Sequence, residues 1–203
     1  SDIFIVENPV SAYRDKTFLI FLVAMILFGV VFLQYFSTIT IYYKDIHALS
    51  ELQIGLILGI NGLLIFIFEM PLIKWLENTK YTKLGLMYFG AILTGLSLLI
   101  LNFTSWSGVL IIGMVLMTVG EMVAFPFSNA FAVNRAQKGN QGEYMALYSM
   151  SFSIAHIFGH NAGLQMTASF GYDNTWYIVS SIAALCALIL FVLNRNLNSK
   201  RLL

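Results

Sequence analysis

Glu121 is the single charge between Lys83 and Arg135, a carboxylic acid stranded in the middle of a long apolar run. A carboxyl kept out of water can trade its charge for a proton and return it when water or a cation arrives, which a proton-coupling group must do. It can also stay protonated or hydrogen-bonded and only brace its neighbours. His156 and His160 stand four residues apart, one above the other on a helical face. Neutral imidazoles so placed relay protons or hydrogen-bond a polar substrate. They could also hydrogen-bond between helices, and only more weakly suit two metal ligands with Glu121 as a third. An i, i+4 histidine pair without further ligands is unspecific, so no metal and no cofactor is assigned. Gln34, Tyr35, Asn61, Asn129 and Asn161 are hydrogen-bonding groups in apolar surroundings, each able to line a substrate cavity or to satisfy an adjacent helix. Glu69, just before Met70-Pro71, shares its neighbourhood with Lys74 and Lys80 and suits an ion pair or gate latch. There is no Gly-x-Ser-x-Gly or His-Glu-x-x-His stretch, and Ser149, Ser151 and Ser153 have no evident base, which argues against an enzyme.

The elements that must hold these groups follow from composition. Of 203 residues, 59% are hydrophobic and only 10% charged, so the expected solvent is lipid. A net charge of +1 gives no reason to expect a nucleic-acid partner. The lone cysteine, Cys186, allows no intrachain disulfide. Because about 20 apolar helical residues cross a bilayer, the charges act as rulers. They predict an all-α membrane protein of six transmembrane helices at about residues 17–43, 51–75, 84–101, 107–131, 143–169 and 175–194. Residues 1–16 read as a cytoplasmic linker and residues 195–203 as a cytoplasmic tail. The start at Ser1 suggests a chain cut from something longer. Ser50 and Gln53 have the spacing of a capping box for the second helix. Turn formers from Asn102 to Gly108 divide the third helix from the fourth, and the stretch from Gly171 to Asn174 divides the fifth from the sixth.

Orientation follows from the cations, since short loops rich in Lys and Arg stay in the cytoplasm. Arg14, Lys16, Lys74, Lys80, Lys83, Arg135, Lys138, Arg195, Lys200 and Arg201 fall on one side of the six-span arrangement, and Lys44 alone on the other. Both ends are thereby expected in the cytoplasm. The polar residues divide unevenly: the first, second, fourth and fifth helices carry the groups named above, whereas the third and sixth carry nothing ionisable and read as outer supports.

That division resembles one six-helix half of the major facilitator superfamily, specifically its C-terminal half. The segment from Asn8-Pro9 to Asp15-Lys16 looks like the end of the linker between halves. Gly120-Glu121-Met122 with Pro126 resembles a fourth-helix motif of this half, and Gly159 to Gly163 is similar to the Gly-Pro-x-x-Gly pattern of antiporters, with His160 and Asn161 in its middle in place of the proline. The Gly-x-x-x-Asp-Arg signature expected near Pro71 to Lys83 is eroded, with Lys74 in place of its Gly and Asn78-Thr79 in place of Asp-Arg. The resemblance implies two inverted three-helix repeats, a missing N-terminal six-helix half as partner, and alternating access around a midplane site. It implies a proton-coupled transporter of small organic solutes in the bacterial inner membrane. An oligopeptide/proton symporter, to whose corresponding helix Gly120-Glu121 and Pro126 are also similar, and a non-transporting membrane scaffold are the alternatives.

Overall fold

The computed structural model describes residues 11–104, 106–137 and 139–199, and every regular element in them but one short bridge is helical. The Asn8-Pro9 part of the linker, Lys138, Lys200 and Arg201 lie outside the described residues. After a 3-10 turn at Ala12–Arg14, the helices are α1 (Lys16–Leu33), α2 (Thr38–Asp45), α3 (Glu51–Glu77), α4 (Lys83–Leu99, extended by a 3-10 turn at Ile100–Asn102), α5 (Gly108–Ala136) and α6 (Gln141–Ser199). Five helical stretches are long and apolar enough to cross a membrane, with α1 and α2 together forming the first.

Local chemistry sets these boundaries. Asp15 caps α1 by accepting from the Phe18 N–H at 3.1 Å. The Ser50 hydroxyl accepts from the Gln53 N–H while the Gln53 side chain returns to the Ser50 N–H, so the expected capping box forms. The stretch expected as one span over residues 17–43 is interrupted at residues 34–37, where Ser37 turns its hydroxyl back onto Leu33 O. The 59 residues of α6 far exceed what a bilayer needs, and the run is broken at Gly171, whose φ of 79° and ψ of 172° are open to glycine alone. Thr167 Oγ1 and Thr175 Oγ1 lie 3.4 Å apart across that break, whereas eight residues of straight helix would separate them by about 12 Å. The chain doubles back there. Helix continues to Ser199, through the region expected as a tail.

Glycine notches bring the helices together. A Cβ on Gly120 would sit 2.5 Å from Thr94 Oγ1 and 2.9 Å from Gly90 O, so α4 and α5 cross almost backbone to backbone. Gly95 receives Ala183 of the later arm of α6, and Gly29 of α1 receives Ala155 of its earlier arm. One core cluster gathers Phe18, Phe21, Met25, Met87, Tyr144 and Leu190, and a second gathers Tyr35, Tyr43, Leu98, Leu110, Met117 and Trp176.

The helix that stands apart is α3. It touches α5 and α2, and almost all of it is exposed, with Leu52, Leu63, Phe66, Met70 and Trp75 bare. Gly55, Gly59 and Gly62 meet nothing within 4 Å. Conversely α4, read from sequence as an outer support, nests between α5 and α6, because its Gly90 and Gly95 let both approach.

Candidate functional site

The break between α1 and α2, the middle of α3 and the middle of α5 meet at one depth. Asn61, 4% exposed, donates from Nδ2 to Thr118 Oγ1 at 2.8 Å, and Thr118 in turn donates to Met114 O at 2.7 Å. Thr118 lies one turn before Glu121, so this pair ties α3 to α5 beside the carboxyl. Glu121 Oε2 is buried and accepts no hydrogen bond. The Asn61 amide and the Glu69 carboxylate are the α3 groups that act on it, and the Tyr35 hydroxyl is within electrostatic reach. Tyr35 is 1% exposed and its hydroxyl also has no partner. Other buried polar atoms without partners among the described residues are Asn102 Oδ1 and Trp176 Nε1. Those belong to helix-end residues, whereas Glu121 lies in mid-helix, where a buried polar group without a partner is costly.

The remaining candidates separate into three groups. Gln34 is fully engaged: Nε2 donates to Val30 O at 2.9 Å and Gly159 O at 2.8 Å, and Oε1 accepts from Thr38 Oγ1 at 2.7 Å. Gly163 leaves the space that the Gln34 amide fills, so this residue locks α1 to α6. His156, His160, Asn161 and Asn129 are exposed. The two histidines share a bare stripe of α6 with Ile157 and Phe158 and do not converge with Glu121; among the described residues no three metal-binding side chains gather. Glu69 is half-buried, while Lys74 and Lys80 are exposed, and the ion pairs among the described residues are instead Lys44–Glu51 and Asp15–Arg135.

The second of these pairs anchors a node that sequence reasoning missed. Arg135 donates from Nε and Nη2 to both Asp15 oxygens, at 2.5 and 2.8 Å, and Tyr144 Oη donates to Asp15 Oδ2 at 3.0 Å. Alongside, Glu143 Oε2 accepts from Ser11 Oγ and from the Ala12 N–H. Burial alone would push the Asp15 carboxyl up, but the hydrogen bonds from Arg135, the Phe18 N–H and Tyr144 outweigh it and hold the group below its ordinary value of 3.8. The local signal was Asp15 as a capping type ahead of an apolar run; its partner lies 120 residues away.

Contacts also sort the helix ends. Ser11 with Glu143, Asp15 with Arg135, Thr82 with Asn194, and Lys83 with Ala130 O gather at one end. Tyr172 with Asp45 and Asn102 with Asp173 O gather at the other.

Comparison with known proteins agrees with this architecture. The chain is 27% identical over 190 residues to a Na(+), Li(+), K(+)/H(+) antiporter of Planococcus maritimus, an alignment that takes in 87% of this chain and 44% of that relative. The chain thus spans less than half the length of the relative it matches. The family model of the Major Facilitator Superfamily matches residues 20–202, nearly the whole sequence. With its apolar helices, glycine-notched packing and half-buried mid-helix carboxyl, this multi-pass membrane chain belongs to the major facilitator superfamily.

Proposed function

We propose that this chain is one half of a proton-coupled secondary transporter, crossing the membrane six times as two inverted three-helix repeats and rocking against an N-terminal half in alternating access. Six crossings are supported by the reversal at Gly171 and by the sorting of contacts into two ends. The cations Lys16, Lys74, Lys83 and Arg135 belong to the helix ends on one side, which favours placing that side, and both ends of the segment, in the cytoplasm of a bacterial inner membrane. The bare face of α3, with its open glycines, is the surface for the other half.

The observation that carries the reading is the unpartnered, buried Glu121 Oε2 beside Asn61 and Tyr35. A carboxylate oxygen that the bundle leaves unsatisfied is reserved for something that comes and goes. In one access state it takes a proton, and in the other it releases it to water. His156 and His160 stand on the face toward the missing half, where they line the cavity only once that half is present. Gln34 serves as a brace and not as a substrate ligand.

The cargo expected from sequence was a small organic solute. The oxygen donors around Glu121, a carboxylate, an amide and a phenol, equally fit a hard monovalent cation. The antiporter relative favours that second reading, the exchange of an alkali cation for protons.

The test uses full-length protein in liposomes with an imposed pH gradient. Addition of Na+, Li+ or K+ dissipates the gradient if the cargo is a cation, and organic solutes leave it intact. Glu121→Gln abolishes uphill movement of the cargo while leaving the protein folded. Uphill transport that survives this change unaltered removes Glu121 from the coupling step.

A further inference from the structure

Away from the bare face of α3, a cleft of about 720 Å³ opens at the end of the bundle where the cations gather, between the start of α4, the end of α5 and the end of α6. Its walls carry Lys80, Lys83 and Arg135, and among the described residues no carboxylate lines it. Arg135 is neutralised by Asp15, so the excess positive charge comes from the two lysines. Lys83 is held against the wall, its Nζ donating to Ala130 O at 3.4 Å, whereas Lys80 is exposed and free to close over a ligand. Asn194 sits opposite, its Oδ1 accepting from the Thr82 hydroxyl at 2.6 Å. The chemistry of this rim is that of a phosphate site.

The apolar part of the lining is Leu84, Phe131 and Leu197. One turn deeper, Tyr88 and Phe191 meet with ring centroids 5.6 Å apart in the seam between α4 and α6, and Phe89, Leu188 and Val192 lie exposed around that seam. A cationic rim that runs into an exposed apolar seam fits an amphiphile, with its phosphate at the rim and its acyl chains along the seam. A free anion would use only the first part.

We infer that this cleft binds the phosphate headgroup of an anionic phospholipid from the leaflet at that end, with Lys80 and Lys83 as the charge-recognising residues. The site rests on membership of a membrane family and not on the assignment of Glu121, so failure of either leaves the other standing. It also gives Lys80 a role apart from an ion pair with Glu69, since it contributes to this cleft together with Lys83 and Arg135.

The experiment titrates phosphatidylglycerol or phosphatidylcholine into detergent-solubilised full-length protein, reading bound lipid by native mass spectrometry. Phosphatidylglycerol binds more tightly than phosphatidylcholine, and Lys80→Gln with Lys83→Gln weakens it about tenfold, while Lys80→Arg with Lys83→Arg restores it. Lys44→Gln, at the opposite end, changes nothing. Millimolar inorganic phosphate fails to displace the lipid. If the double variant does not fold, Lys80→Gln alone, at an exposed position, weakens binding about threefold. Equal binding of the two lipids, unchanged binding by the glutamine variants, or displacement by inorganic phosphate overturns the proposal, the last by showing a site for a soluble anion.

Discussion

Two carboxyls, Asp15 and Glu121, sit among buried groups of the same bundle and are treated in opposite ways. Asp15 receives four hydrogen bonds, from Arg135 Nε, Arg135 Nη2, Tyr144 Oη and the Phe18 N–H. Glu121 Oε2 receives none, and the Tyr35 hydroxyl nearby is equally unused. Satisfaction of every lone pair fixes a position, and Asp15 does this for the ends of α1, α5 and α6 together. An unsatisfied oxygen at mid-helix adds nothing to the fold, and the proposed function leaves it for exchange.

The largest effect on stability is therefore expected at the satisfied node. Arg135→Ala removes the cation and leaves a mostly buried carboxylate, costing about 3 kcal/mol, read as a drop in the unfolding temperature of the solubilised protein. The same node carries a pH dependence. Because the folded Asp15 carboxyl is held below its ordinary value of 3.8, its contribution is fully present above that value and is lost as pH falls through the folded value. The pair therefore weakens only in strongly acidic solution, and Asp15→Asn flattens the stability profile below about pH 4.

Next in size is Gly120→Ala, which places a methyl against Thr94 Oγ1 and the Gly90 carbonyl and costs about 2 kcal/mol. Smaller again is the structural effect of Glu121→Gln, under about 1 kcal/mol in either direction, although transport is lost. A large destabilisation by Glu121→Gln would place this residue with Asp15 as a brace and erase the contrast between them.

How much of this was legible in the sequence depends on the range of the interaction. Ser50 with Gln53 is a contact three residues long, and the capping box formed as spaced. Glu121 stood out because its oddity is compositional, a lone charge in an apolar run. The break at residues 34–37 was hidden, since Gln34 and Ser37 bond to a distant carbonyl and to the preceding turn in ways that hydrophobicity does not record. Gln34 and the Asp15–Arg135 pair were unreadable for the same reason: their partners lie more than a hundred residues away. Hydrophobicity also could not rank the exposure of helices, because α3 and α4 are similarly apolar and differ in which glycines find a neighbour.

For those glycines the sign of a comparably small effect carries the information. Gly59 faces open space in this bundle, so no neighbour within the chain resists an added methyl. Were lipid the permanent neighbour of α3, Gly59→Ala would stabilise the full-length protein by up to about 1 kcal/mol, the usual gain of alanine over glycine in a helix. If a helix of the other half packs into the groove of Gly55, Gly59 and Gly62, the same methyl meets a backbone, and about 1 kcal/mol of stability is lost instead. Under the proposed function loss is expected, accompanied by slower transport, because alternating access would require this seam to slide. A gain would mean that the bare face of α3 meets lipid, and that the partner half, if it docks at all, docks elsewhere.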